Sequence, residues 1–166
     1  MVAWLTFIKE RFPLPVYAVL CGGFAVTGAR IAGNADIAAA LVAFFFIMLF
    51  FFLLRTMDEL KDYEKDVIAN PTRPLPRGLL QPAAVAGAIR WIWLGTLVAG
   101  VAVYSASPLA LFSFLAFWLY LWLMYKEFFV GHRLQNYPLI YAVSHQVILV
   151  PICVFAVAVH ADGTGS

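Results

Sequence analysis

Charge is what this sequence has least of. Eleven Lys and Arg with nine Asp and Glu make up 12% of 166 residues, about half the share of an average soluble domain. So few charges cannot coat a water-facing surface around a single core, which excludes a water-soluble domain. No basic stripe or tail is present and the net charge is only +2, so a nucleic-acid backbone is excluded as a partner. Cysteine is nearly absent too: Cys21 and Cys153 both sit in apolar runs, where they read as small buried hydrophobes rather than a disulfide framework. Their placement leaves the redox compartment open. No polar linker, short repeat or low-complexity tract divides the chain.

Apolar residues fill the space that charge leaves: 64% of the chain is hydrophobic and the mean hydropathy is +0.89. The surface of such a chain faces lipid. Ile37 to Leu54 is an unbroken apolar run of eighteen residues, which as a helix spans roughly 27 Å, about one hydrocarbon thickness. Four more spans are expected, at about Pro13 to Gly33, Pro82 to Tyr104, Pro108 to Tyr125 and Tyr137 to Val159. Three of them open on a proline, which suits a first helical turn. The first span has the Lys9 and Arg11 flank of a signal peptide, but Pro13 and Pro15 open it and a short turn leads into the next run. It therefore reads as the first helix of a bundle. The expected architecture is an all-α, polytopic membrane helix bundle of about five transmembrane helices, one domain over residues 1–160 with a short polar tail at 161–166.

With five spans the loops alternate sides. Lys9, Arg11, Arg55, Lys61, Lys65, Arg73, Arg77, Lys126 and Arg133 fall on one side, with Arg90 just inside a span near it, and only Arg30 falls on the other. Positive charge stays inside, so the N-terminus and the long charged loop are expected to be cytoplasmic, the tail extracytoplasmic, and the protein resident in a cell's inner membrane.

Half of all the charge lies between Arg55 and Gly78, five residues of each sign. Asp58, Asp62 and Asp66 recur every four residues, each about 40° round a helix from the last, and Glu59 stands beside them. Four carboxylates on one face repel one another, so they need a compensating cation. Hard oxygen ligands without histidine or cysteine suit Mg2+, which takes a few carboxylates and phosphate oxygens. The plainer alternative is a solvated helix end with Lys61 and Lys65 as salt-bridge partners. The next stretch favours the metal: Asn70, Pro71, Arg73, Pro74, Pro76, Arg77 and Gly78 make a proline-braced loop that brings arginines near the acids. Carboxylate-held metal beside guanidinium groups suits a diphosphate.

The stretch from Asp58 to Asp66, followed by Asn70-Pro71-Thr72-Arg73-Pro74-Leu75-Pro76-Arg77-Gly78, resembles the first aspartate-rich motif and following loop of the UbiA superfamily of intramembrane prenyltransferases. That pattern is N-D-x-x-D-x-x-x-D, then a loop ending like N-R-P-L-P-x-G. Asp58 and Glu59 replace its first two residues and keep oxygen ligands there, as in a divergent branch. The family has nine transmembrane helices, with this motif between the second and third and a second, D-x-x-x-D motif between the sixth and seventh. After Asp66 the only acids are Glu127 and Asp162, so the resemblance covers the N-terminal half of such an enzyme and implies a missing C-terminal half. It also implies an Mg2+-dependent transfer of a polyprenyl group from its diphosphate to an acceptor, often aromatic, in quinone, chlorophyll, haem or lipid synthesis. Carried over by position, Asp58, Glu59, Asp62 and Asp66 are metal ligands or their immediate supports, Asp62 and Asp66 are central to catalysis, and Asn70 and Arg73 bind the diphosphate. Such chemistry needs a dry cavity, since loss of diphosphate leaves an allylic cation.

Other residues are open to two readings. Lys126 ends the fourth span, where the family often has a basic residue near the diphosphate, or it snorkels to headgroups. His145, with Ser144 and Gln146, lies inside the fifth span as a functional candidate or, more simply, as helix-to-helix hydrogen bonding. Trp118, Tyr120, Trp122 and Tyr125 read as packing or an interfacial belt rather than a cation-stabilising wall. The rival to a prenyltransferase is a non-catalytic or partner-dependent integral membrane protein. A CDP-alcohol phosphotransferase would need D-G-x-x-A-R, which Leu60 to Lys65 does not supply.

Overall fold

The computed structural model describes residues 2–33, 36–134 and 136–161, and these are helical with no strand among them. Residues 162–166 of the expected polar tail lie outside the described residues. Helix α1 (Val2–Arg11) precedes α2 (Leu14–Ala32), α3 (Ile37–Lys61) and the short α4 (Tyr63–Ala69). After a loop come α5 (Pro82–Tyr104) and α6 (Pro108–Tyr125), a 3-10 turn at Glu127–Phe129, α7 (Gly131–Leu134), α8 (Pro138–Gln146) and α9 (Leu149–Ala161). Five segments are long and apolar enough to cross a membrane: α2, α3, α5, α6, and α8 with α9 taken together. The chain is an all-α bundle of the kind expected.

Local chemistry sets the helix ends. Gly33 closes α2 in the left-handed region, φ 70°, with its N–H turned back to Ala29 and Arg30, a conformation glycine reaches without Cβ strain. Asp36 then caps α3 by accepting from the N–H groups of Ala38 at 2.9 Å and Ala39 at 3.3 Å. The fifth span, expected as one helix, is interrupted at Val147 and Ile148. Pro151 has no N–H to offer the Val147 carbonyl, which instead accepts from Val150 N at 3.0 Å in a tighter turn.

Helix α3 runs through the middle, touching α2, α5, α6 and α9, while α9 closes the arc by packing between α2 and α6. The α2–α9 contact depends on Gly28, because a Cβ there would sit 2.1 Å from the Ala156 carbonyl oxygen. Between α3, α6 and α9 the interior is aromatic: Phe50 and Phe117 meet edge to face at 5.2 Å, and Phe117 lies 4.8 Å from Phe155. Lipid tails are as apolar as these rings, so packing contacts rather than water exclusion hold the helices together. The outward faces are apolar as well, with Phe112, Trp91 and Val98 largely exposed, which suits contact with a bilayer.

Candidate functional site

The charged residues converge on the end of the bundle where α1 and α3 finish. Glu59, in the last turn of α3, is 2% exposed. Its Oε1 accepts from Arg11 Nε at 2.6 Å and from Arg55 at 2.9 Å. Arg55 is a neighbour by helix geometry, one turn back on α3. Arg11 comes from the end of α1, which Pro13 turns into α2. Glu59 Oε2 is buried without a hydrogen-bond partner among the described residues.

The helix is interrupted at Asp62 and resumes as α4, which carries Asp66. Asp66 is buried and doubly held: Asn70 Nδ2 donates to Oδ1 at 2.8 Å and Arg73 to Oδ2 at 2.5 Å. Burial would raise this carboxyl, but the hydrogen bonds from Asn70 and Arg73 and the nearby Arg73 and Arg11 charges outweigh it and hold Asp66 below the ordinary aspartate range. Three prolines keep the loop after Asn70 from becoming helix. It turns instead, with Arg77 N on the Arg73 carbonyl at 3.0 Å and Leu79 N on that of Pro74 at 2.9 Å. Leu75, 1% exposed, pins it to the bundle. Arg77 reaches back to α1 and grips both oxygens of Glu10, at 2.8 and 2.9 Å. The Arg77 hydrogen bond, more than compensating the slight burial, lowers the Glu10 carboxyl.

A second polar group lies on the other side of α3. Lys61 Nζ donates to Tyr141 Oη at 3.2 Å and stands 3.6 Å from Asp58 and 3.8 Å from Glu127. Tyr141 donates on to Glu127 at 3.4 Å. Glu127 is delivered by a turn in which Glu127, Phe128 and Phe129 all have positive φ, a conformation costly for side chains with Cβ. Gly131 makes room for it, since a Cβ there would lie 1.8 Å from Glu127 Oε2.

The four expected carboxylates thus divide into two sets. Glu59 and Asp66 face Arg11, Arg55 and Arg73, while Asp58 and Asp62 lie beside Lys61. No group of three or more His, Cys, Asp or Glu side chains is gathered around a common point among the described residues. Asp58 and Asp62 remain as two partly exposed hard-oxygen donors one turn apart, which fits Mg2+, an ion that takes one or two carboxylates and fills the rest of its shell with water and phosphate. Glu59 and Asp66 fit it less well because arginines already answer their charge. Asn70 and Arg73 come together as expected. Lys126 does not join them: it is exposed, with its ammonium 5.3 Å from the Tyr125 ring centroid. Arg11, Glu127 and Tyr141 are site residues that sequence reading missed, while Lys61 pairs with Asp58 as the salt-bridge alternative had it.

Comparison with known proteins finds no family model, curated protein or solved structure that matches the chain.

Proposed function

We propose that this chain acts in Mg2+-dependent transfer of a polyprenyl group from its diphosphate to an aromatic acceptor, at the polar end of the bundle facing the cytoplasm. The observation that carries the reading is the lock of Asn70 and Arg73 on Asp66, one turn along the chain from Asp62. A stiff loop there holds a guanidinium fork at the same end of the bundle as Asp58 and Asp62, two partly exposed carboxylates of which Asp58 is paired with Lys61. Asp58 and Asp62 are the residues that hold Mg2+, which when bound neutralises charge on the departing diphosphate. Asp66 fixes the position of Arg73, whose free N–H groups bind diphosphate oxygens. Glu59 does the same for Arg11 and Arg55. The apolar helices keep water from the allylic carbon once its bond to oxygen breaks. In this reading a C-terminal half brings the second carboxylate motif.

The test is turnover. In membranes carrying the chain with any C-terminal half encoded after it, Asp62→Ala is expected to lower Mg2+-dependent prenyl transfer by at least a hundredfold while insertion into the bilayer is unchanged. Undiminished turnover removes Asp62 from the site. A second reading has its own support: three arginines of the chain already answer Glu59 and Asp66, as in a static polar brace. A non-catalytic membrane protein of that kind is insensitive to Asp62→Ala and to chelation, and co-purifies with a membrane partner.

A further inference from the structure

At the end of the bundle opposite the charged cluster, α2 and α3 do not close on each other. A cleft of about 530 Å3 opens between them, lined by the two helices and their caps, a size within the roughly 300–1,000 Å3 of ligand sites. Small side chains leave the space: Gly22, Ala25 and Ala29 on α2 and Ala40 on α3, with Leu41 and Phe44 as the larger apolar wall. A Cβ added at Gly22 meets nothing within 4 Å. Helix α2 packs on α9 through Gly28, and nothing from α9 lines the cleft, so it is cut into a different face of α2.

Depth and charge say what fits. From Gly22 to Gly33 the cleft follows α2 for about 16 Å at 1.5 Å per residue, half of a hydrocarbon core roughly 30 Å thick. Beyond it Tyr17 and Phe51 close the two helices ring to ring, their centroids 5.9 Å apart. A membrane-spanning helix needs a groove along the whole bilayer, whereas a lipid chain of one leaflet needs half of it. Arg30 and Asp36 both line the open end and both are exposed. The Arg30 guanidinium makes no hydrogen bond or ion pair among the described residues, so these opposite charges stand apart on the rim. Asp36 is fixed there by its hold on the Ala38 and Ala39 N–H groups. A guanidinium binds phosphate as a fork, and a carboxylate accepts from an ammonium. A cation and an anion at the mouth of a one-leaflet apolar cleft match a headgroup that carries both a phosphate and an ammonium.

We infer that the cleft holds one phosphatidylethanolamine molecule of the leaflet at the Arg30 end, with an acyl chain between α2 and α3, its phosphate on Arg30 and its ammonium on Asp36. This site lies at the other end of the bundle from the residues proposed for prenyl transfer and does not depend on that reading. The test titrates the delipidated full chain in detergent with dioleoyl phosphatidylethanolamine, phosphatidylcholine and phosphatidylglycerol, counting bound lipids by native mass spectrometry and following Tm. The ethanolamine lipid is expected to bind about tenfold more tightly than the others, because choline has no N–H for Asp36 and glycerol no positive charge. Arg30→Gln is expected to weaken it about tenfold, with Arg30→Lys recovering part of the loss. Asp36→Asn keeps the α3 cap and is expected to erase the preference for ethanolamine over choline. Gly22→Phe, whose ring enters the open space, is expected to abolish the bound lipid with the lipid-free Tm unchanged. Should that variant lower the lipid-free Tm, the exposed Arg30→Gln and the three-lipid comparison decide. Equal affinity for the three lipids, or wild-type binding by Arg30→Gln, overturns the site. So does a chain that runs as a dimer until Gly22→Phe makes it a monomer, which gives the cleft to a second copy.

Discussion

Asp66 shows how one side chain is kept charged in a poor solvent. Its carboxylate is 5% exposed, and a buried charge is tolerated only when paired and hydrogen-bonded. Asn70 and Arg73 supply both conditions from the loop that follows α4. Removing the charge leaves the Arg73 guanidinium without its partner, so Asp66→Asn is expected to cost about 1–3 kcal/mol at neutral pH, read as a lower Tm in detergent. The pH dependence has a definite sign. The folded state holds this carboxyl below its usual 3.8, so folded Asp66 releases its proton more readily than the unfolded chain does. The stability it adds is fully present above that ordinary value and disappears as pH falls through the lower, folded one. The Tm gap between wild type and Asp66→Asn is expected to be open at pH 7 and to close below pH 3.8. A gap that persists in strong acid places the stabilisation outside the charge of Asp66.

Among the elements, the α2–α9 pair is the most sensitive to a single atom. Gly28 meets the backbone of Ala156, not a side chain that can swing aside. Gly28→Val is therefore expected to force the two helices apart and lower stability by about 1–3 kcal/mol, seen as earlier thermal unfolding in detergent, whereas Gly22→Val, with open space at its Cβ, leaves it unchanged. The spans were legible in the sequence because a bilayer demands some twenty apolar residues for each crossing and proline marks where three of them begin. The Asn70–Arg73 loop was legible for a similar reason, since its prolines forbid helix. Helix α1, at ten residues, is too short to announce itself through hydropathy. The break in the fifth span had a signal in Pro151, masked by the apolar run around it. The local pairs of Lys61 with Asp58 and Arg73 with Asp66 were within reach of the sequence, but the long-range ones were not: Arg11 finds Glu59 across 48 residues, and Glu127 reaches Lys61 only through a left-handed turn at residues whose types do not favour one. Pairing of this kind is decided by helix packing, after local propensity has done its part.

For the whole molecule, the polar end is built by α1, the end of α3, α4, the 70–81 loop and the start of α8, while Arg30 and Asp36 mark the opposite end. If the charge asymmetry sets orientation, a cysteine at exposed Thr72 is labelled by an impermeant maleimide only from the cytoplasmic side, and one at Arg30 only from outside. Cys21→Ala and Cys153→Ala first remove the native thiols. The reverse labelling pattern places the candidate site outside the cell and rules out a cytoplasmic diphosphate. The closure of α9 onto α2 also carries a cost in time. Ala156 is made 128 residues after Gly28, so at roughly 5–20 residues per second the small face of α2 waits about 6–26 s in the bilayer for its partner. During that interval the nascent chain offers a close-packing groove to any other helix in the membrane, and an insertase that shelters α2 until the fifth span emerges would raise the yield of folded protein.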